Sequence, residues 1–119
     1  MNKLLLESTS LTVKYRKGMK LVSIDQLVTK INLNNSGALD LRKIRKLLTA
    51  DSSHYTETEV NLSDLIGADD KDVNANYADP RKGAIIVTDI GYIVDGRHRA
   101  ALAKRQHKKT IMALVPVVK

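Results

Sequence analysis

The sequence predicts an α+β domain: a small mixed sheet with helices packed against it and a strand-to-helix turn suited to phosphate. Three observations predict it. The runs Ala84-Ile85-Ile86-Val87, Tyr92-Ile93-Val94 and Thr110-Ile111-Met112-Ala113-Leu114-Val115 are strand-like, rich in β-branched residues and separated by turn signals. Apolar residues Leu41, Ile44, Leu47 and Leu48 recur at helical spacing, and Ala100, Ala101, Leu102 and Ala103 are good helix formers. Asp95-Gly96 joins the second of those strands to the second of those helices, so the chain turns sharply at that point.

Taken in order, Leu11, Val13 and Tyr15 alternate with polar residues, as do Met19, Leu21 and Ser23 after Arg16-Lys17-Gly18, which predicts an N-terminal hairpin with a basic turn. Asp25 is positioned to cap a short helical turn carrying Leu27, Val28 and Ile31, and residues 32–37 read as a loop. Asp40 is the expected N-cap of the helix over residues 41–48. Residues 51–82 turn polar and acidic and read as an insertion, with one apolar patch at Val60, Leu62, Leu65 and Ile66 that Ser63 could cap. Asp89-Ile90-Gly91 is a turn, the last helix ends near Gln106-His107, and Pro116 marks an edge or an end of the final strand. With 119 residues, 43% of them hydrophobic, residues 1–119 are expected to form a single domain.

Composition excludes several classes of function. There is no cysteine, so disulfides, thiolate metal sites and cysteine nucleophiles are out. Nothing implies haem, flavin or zinc. The Leu4-Leu5-Leu6 run is too short for a signal peptide or a membrane span, so no membrane partner and a cytoplasmic location are expected. Neither Phe nor Trp occurs, and four tyrosines give few rings for base stacking, which disfavours single-strand readers of the RRM or OB kind. The net charge of +7 and pI near 9.7 favour polyanionic partners. Charge is also uneven: residues 51–72 hold seven acids against Lys71, whereas residues 96–119 hold seven Lys or Arg and no acid.

Chemistry concentrates at Asp95-Gly96-Arg97-His98-Arg99. A helix starting there presents unpaired backbone N–H groups, the positive end of its dipole and two guanidinium groups to one spot, which makes an anion site. Gly96 lets a phosphate approach the backbone, Arg97 and Arg99 can bind it bidentately, and His98 can donate a hydrogen bond or relay a proton. Asp95 has four readings: helix cap, partner of an arginine, ligand of a Mg²⁺ bound with a nucleotide, or base. Asp95 and His98 are therefore the catalytic candidates. Two further basic clusters, Arg42, Lys43, Arg45 and Lys46 on the first helix and Lys104, Arg105, Lys108 and Lys109 after the second, read either as solvated faces or as a nucleic-acid or partner surface.

Strand 84–87, the Gly91-Tyr92 turn, Val94-Asp95-Gly96-Arg97-His98-Arg99 and the Ala-rich helix together resemble the ParB/sulfiredoxin-like superfamily. Residues 21–27 are similar to that family's first strand and turn, and helix 41–48 to the helix before its central strand. The resemblance implies a turn that binds nucleotide or other phosphate groups. Sulfiredoxins carry a catalytic cysteine in this turn where Arg97 stands here, so their reductase chemistry is excluded. Partition proteins carry a Gly-Glu-Arg-Arg-like turn, a second arginine motif, a helix-turn-helix and a dimerisation region. Only a variant of the first is present, so a CTP-switched DNA clamp is not expected. The related free-serine kinases use a similar turn to hold ADP but need a separate catalytic glutamate, and no residue of this sequence is assigned to that role.

These features lead to a ParB-like binder of nucleotide or nucleic-acid phosphate, of the small stand-alone kind frequent in phages and plasmids. It would act on phosphoryl or phosphodiester groups, with Arg97, His98 and Arg99 on the phosphate and Asp95 on metal or proton. The alternative is a non-enzymatic protein whose polarised surface docks onto DNA or an acidic host protein in the host cytoplasm.

Overall fold

A computed structural model describes residues 10–35, 37, 39–68, 74 and 78–119. The Leu4-Leu5-Leu6 run and residues 69–73 and 75–77 of the expected insertion lie outside the described residues. The elements are β1 (Val13–Lys14), β2 (Val22–Ser23), α1 (Ile24–Asn34), α2 (Leu41–Asp51), β3 (His54–Asn61), β4 (Ile85–Val87), β5 (Ile93–Asp95), α3 (Arg97–Arg105) and β6 (Thr110–Val118). Short 3₁₀ turns occupy Leu62–Asp64 and Pro80–Lys82. The sheet is mixed, in the order β2-β3-β6-β4-β5, with β1 also on β6. β6 runs antiparallel to β3 and parallel to both β4 and β1.

Side-chain alternation gives the sheet two apolar faces. Ile85, Val87, Ala113 and Val115 lie on one and are covered by Ala100 and Ala103 of α3. Ala84, Ile86, Leu114 and Tyr55 lie on the other and are covered by Leu27, Val28 and Ile31 of α1 and by Leu48 of α2. An 11-residue helix such as α1 is marginal alone. Burial of its Leu and Ile side chains, at roughly 1.5–3 kcal/mol each, holds it. The Tyr55 hydroxyl donates to the Leu48 carbonyl at 2.9 Å, tying β3 to the last turn of α2, and burial pushes the Tyr55 pKa up.

Four sequence expectations change. No N-terminal hairpin forms: β1 pairs with β6 and β2 with β3, because alternation reports a half-buried strand and not its partner. α1 is longer than a turn and is capped by Ser23 rather than Asp25, in a capping box with Gln26. The expected insertion contains β3, an eight-residue strand with Tyr55, Thr56 and Val60 buried and Glu57 and Glu59 exposed. Pro116 lies buried in a central strand, at the point where that edge of β6 passes from β4, paired to Ala113 and Leu114, to β1, paired to Val117 and Val118. No ladder partner is lost there to the missing N–H. The Asp40 cap, α2, the Asp89-Ile90-Gly91 turn, β4 and α3 form where expected.

The turn after β4 is fastened to α2. Asp89 N–H donates to Asp51 Oδ2 at 3.0 Å, and Gly91 packs so closely that a Cβ would lie 2.2 Å from the Asp64 carbonyl oxygen. Burial raises the Asp51 pKa above its ordinary value, and the nearby Asp89 carboxylate adds to the rise. The folded state therefore holds this proton at pH values where the unfolded chain has released it, so stability falls as pH climbs from the ordinary carboxylate value through the raised one. Asp51→Asn keeps the acceptor for Asp89 N–H and removes the charge. Its Tm at neutral pH should exceed that of the parent, and thermal scans from acid to neutral pH should show a flatter profile.

Candidate functional site

β5 ends at Asp95, and α3 begins at Arg97 after Gly96, which has φ +106° and ψ 21°. Glycine is required here for two reasons. The left-handed conformation disfavours other residues, and a Cβ would lie 2.3 Å from Ile85 Cγ2. The absent side chain thus lets α3 close against β4; it does not open a path for a ligand, as the sequence alone suggests. Gly96 is also the N-cap and offers no side-chain acceptor to the first turn. The cap reading of Asp95 is thereby replaced.

Asp95 and Arg99 are both buried and face each other, Arg99 Nη2 donating to Asp95 Oδ2 at 3.1 Å. Asn34 Nδ2 donates to the same oxygen and Asn35 Nδ2 to Oδ1, each at 3.1 Å. Arg99 Nη1 donates to the carbonyls of Gly83 and Ala84, and Arg99 Nε is buried without a partner. Lys30 Nζ donates to the Ala84 carbonyl at 3.1 Å. Burial and the Arg99 charge push the Lys30 pKa down, against the opposing pull of Asp95 and Glu57.

This network corrects two site assignments. Arg99, expected on the phosphate, is 6% exposed and spends its guanidinium on Asp95 and two main-chain carbonyls. Asp95, expected on Mg²⁺ or as a base, is 7% exposed with both oxygens taken by Asn34, Asn35 and Arg99. Those neutral and cationic donors compete directly with a metal, so the residues around Asp95 do not fit Mg²⁺. Among the described residues no group of three or more His, Cys, Asp or Glu comes together to hold one.

Outside this network lies a cleft of about 810 Å³, walled by Asn34, Asn35, Lys82, Tyr92, Arg97 and His98 among others. Arg97 is exposed and His98 half-buried. Lys82, from the turn Pro80–Lys82, donates to the Asn34 carbonyl at 3.1 Å and so stands at the C-terminal end of α1. Leu33 and Tyr92 add exposed apolar surface. The structure therefore brings Gly96, Arg97 and His98 together as expected and adds Lys82, Tyr92, Asn34 and Asn35. The Asn pair carries no sequence signal beyond that of a loop.

The two basic clusters do not merge. Arg42, Lys43, Arg45 and Lys46 are exposed on α2, whereas Lys104, Arg105, Lys108 and Lys109 are exposed around the end of α3, which covers the other face of the sheet. Arg45 pairs with Asp25 at 2.7 Å, and Lys104 Nζ donates to the Ala68 carbonyl at 3.0 Å. No family model, curated protein or solved structure matches the chain. Among the described residues no helix is long and apolar enough to cross a membrane.

Removing one member of a buried ion pair leaves the other uncompensated. Arg99→Ala should lower unfolding free energy by about 3–5 kcal/mol, read by urea denaturation. Arg97→Ala, on the exposed side of the same turn, should change it by about 0.5 kcal/mol or less.

Proposed function

We propose that this protein is a phosphate-binding domain of the ParB/sulfiredoxin-like type, and that the cleft at the start of α3 takes the phosphate of a nucleotide or a nucleic acid. One observation carries the reading. The start of α3, without a side-chain cap, opens on a cleft that Arg97, His98 and Lys82 also line. Main-chain N–H groups and the helix dipole favour an anion there, the Arg97 guanidinium suits two phosphate oxygens, and Lys82 adds a point charge. Leu33 and Tyr92 offer apolar surface on which a base or sugar can rest.

In a phosphoryl or phosphodiester reaction the proton-transfer role falls to His98, since Asp95 is occupied by its own partners. A Mg²⁺ accompanying a nucleotide would belong to the ligand. The separation of the basic clusters onto α2 and the end of α3 favours this local site over one continuous DNA-binding surface.

Isothermal titration with ATP, CTP and ADP in the presence of Mg²⁺, and with a short DNA duplex, tests the proposal. At least one should bind, more weakly as salt is raised. Arg97→Ala and Lys82→Ala should each weaken that ligand by about tenfold or more, the effect of losing a charge-assisted hydrogen bond. Absence of heat with all four ligands would end the proposal. A salt-dependent contact with a host protein that survives Arg97→Ala would point instead to the exposed face of α2.

A further inference from the structure

β3 is paired with β6 from Tyr55 to Asn61, but on its other side it meets β2 only at His54 and Tyr55. Among the described residues no strand pairs with residues 56–61 on that side, although the Lys20 carbonyl lies against its start, accepting from Thr56 Oγ1 at 2.8 Å. The ladder shows which main-chain groups face it. Leu62 N–H donates to the Lys109 carbonyl at 2.9 Å, one step past the Asn61 and Thr110 pair, while Pro116 opposite Tyr55 has no N–H to give. Hydrogen-bonded pairs alternate along an antiparallel ladder. Thr56, Thr58 and Val60 therefore bond to β6, and the N–H and C=O groups of Glu57 and Glu59 and the N–H of Asn61 point outward, the Asn61 carbonyl serving the 3₁₀ turn that Asn61 caps. Among the described residues, these outward groups are an unpaired template for another strand.

The same positions carry charge. Glu57 and Glu59 are exposed and share one face of β3, with Met112 of β6 opposite Glu59. Beside them lies a cavity of about 620 Å³, lined by Glu57, Glu59, Met112 and Leu102 among others. Lys108 and Arg99, the latter already paired with Asp95, also line it, and Lys30, bonded to the Ala84 carbonyl, feels the charge of Glu57. A second copy of the chain, adding antiparallel about Thr58, would set the glutamates of both copies side by side, which is repulsive. A strand carrying Lys or Arg opposite Glu57 and Glu59 meets opposite charge.

We propose that the open edge of β3 accepts an extended basic segment of a partner protein by strand addition, with Lys or Arg at alternate positions. The surface is separate from the cleft at α3.

A capped Thr-Lys-Val-Lys-Thr-Lys-Val peptide, titrated into the intact chain, should bind and slow amide exchange at Glu57, Glu59 and Asn61. The amides of Thr58 and Val60, already bonded to β6, should not change. Glu57→Lys combined with Glu59→Lys should weaken this peptide by about tenfold and allow the corresponding Thr-Glu-Val-Glu-Thr-Glu-Val peptide to bind instead. Should that variant fail to fold, Glu57→Gln with Glu59→Gln should weaken the Lys peptide by a smaller factor. Three results overturn the proposal: unslowed exchange at the three outward amides, equal affinity for the Lys and Glu peptides, or self-association that protects those amides without peptide.

Discussion

The ion pair between Asp95 and Arg99 sets the terms for everything around it. Two charges removed from water are costly unless their remaining donors and acceptors are met, and each side of this pair draws on a different part of the chain. The carboxylate takes Asn34 and Asn35 from the end of α1. The guanidinium takes the carbonyls of Gly83 and Ala84 ahead of β4. Satisfying one pair therefore fixes α1, the approach to β4, the end of β5 and the first turn of α3 relative to one another. These are the walls of the cleft. Because the pair is internally neutral, the electrostatic character of the cleft is left to Lys82, Arg97 and His98.

The sheet shows the same economy of position. β6 is flanked by β3 on one side and by β4 and β1 on the other, and its alternating side chains enter both apolar layers. Helices on both faces leave little of it near water, which accounts for its nearly continuous apolar run. Gly96 belongs to this packing as much as to the turn, because its missing Cβ is what lets α3 lie on Ile85.

Local signals were readable wherever they were self-contained. The Asp40 cap and the inward stripe of α2 at Leu41, Ile44 and Leu48, the turn at Asp89-Ile90-Gly91, and the strand-to-helix junction at Gly96 each depend on near neighbours, and each appears in the structure, with Leu47 alone of the expected stripe left exposed. Partners of strands depend on distant residues, so the pairings of β1 and β2 were not readable from alternation. β3 was hidden for another reason. Its acidic residues drew it into the polar stretch around it, although Tyr55, Thr56, Thr58 and Val60 carry β-type side chains at fitting positions. At the site, the five residues Asp95 to Arg99 were legible as a unit, but the direction of each side chain was not. Arg97 and Arg99 are two apart on a helix and so point to different sides, one toward solvent and one into the protein. Asn34 and Asn35 reach Asp95 across 60 residues or more of chain, a contact that only tertiary structure reveals.

The position of β6 in the chain bears on how the molecule comes to exist. Among the described strands it is the last in sequence, yet β1, β3 and β4 all pair with it. A nascent chain emerging from the ribosome displays those strands without the one that joins them, and with apolar faces that have nothing to close upon. Long-range pairing of this kind is slow and leaves unpaired edges exposed while it waits. Until β6 is in place, β1, β3 and β4 lack the strand they share, so closing both apolar layers waits on the last of the described strands.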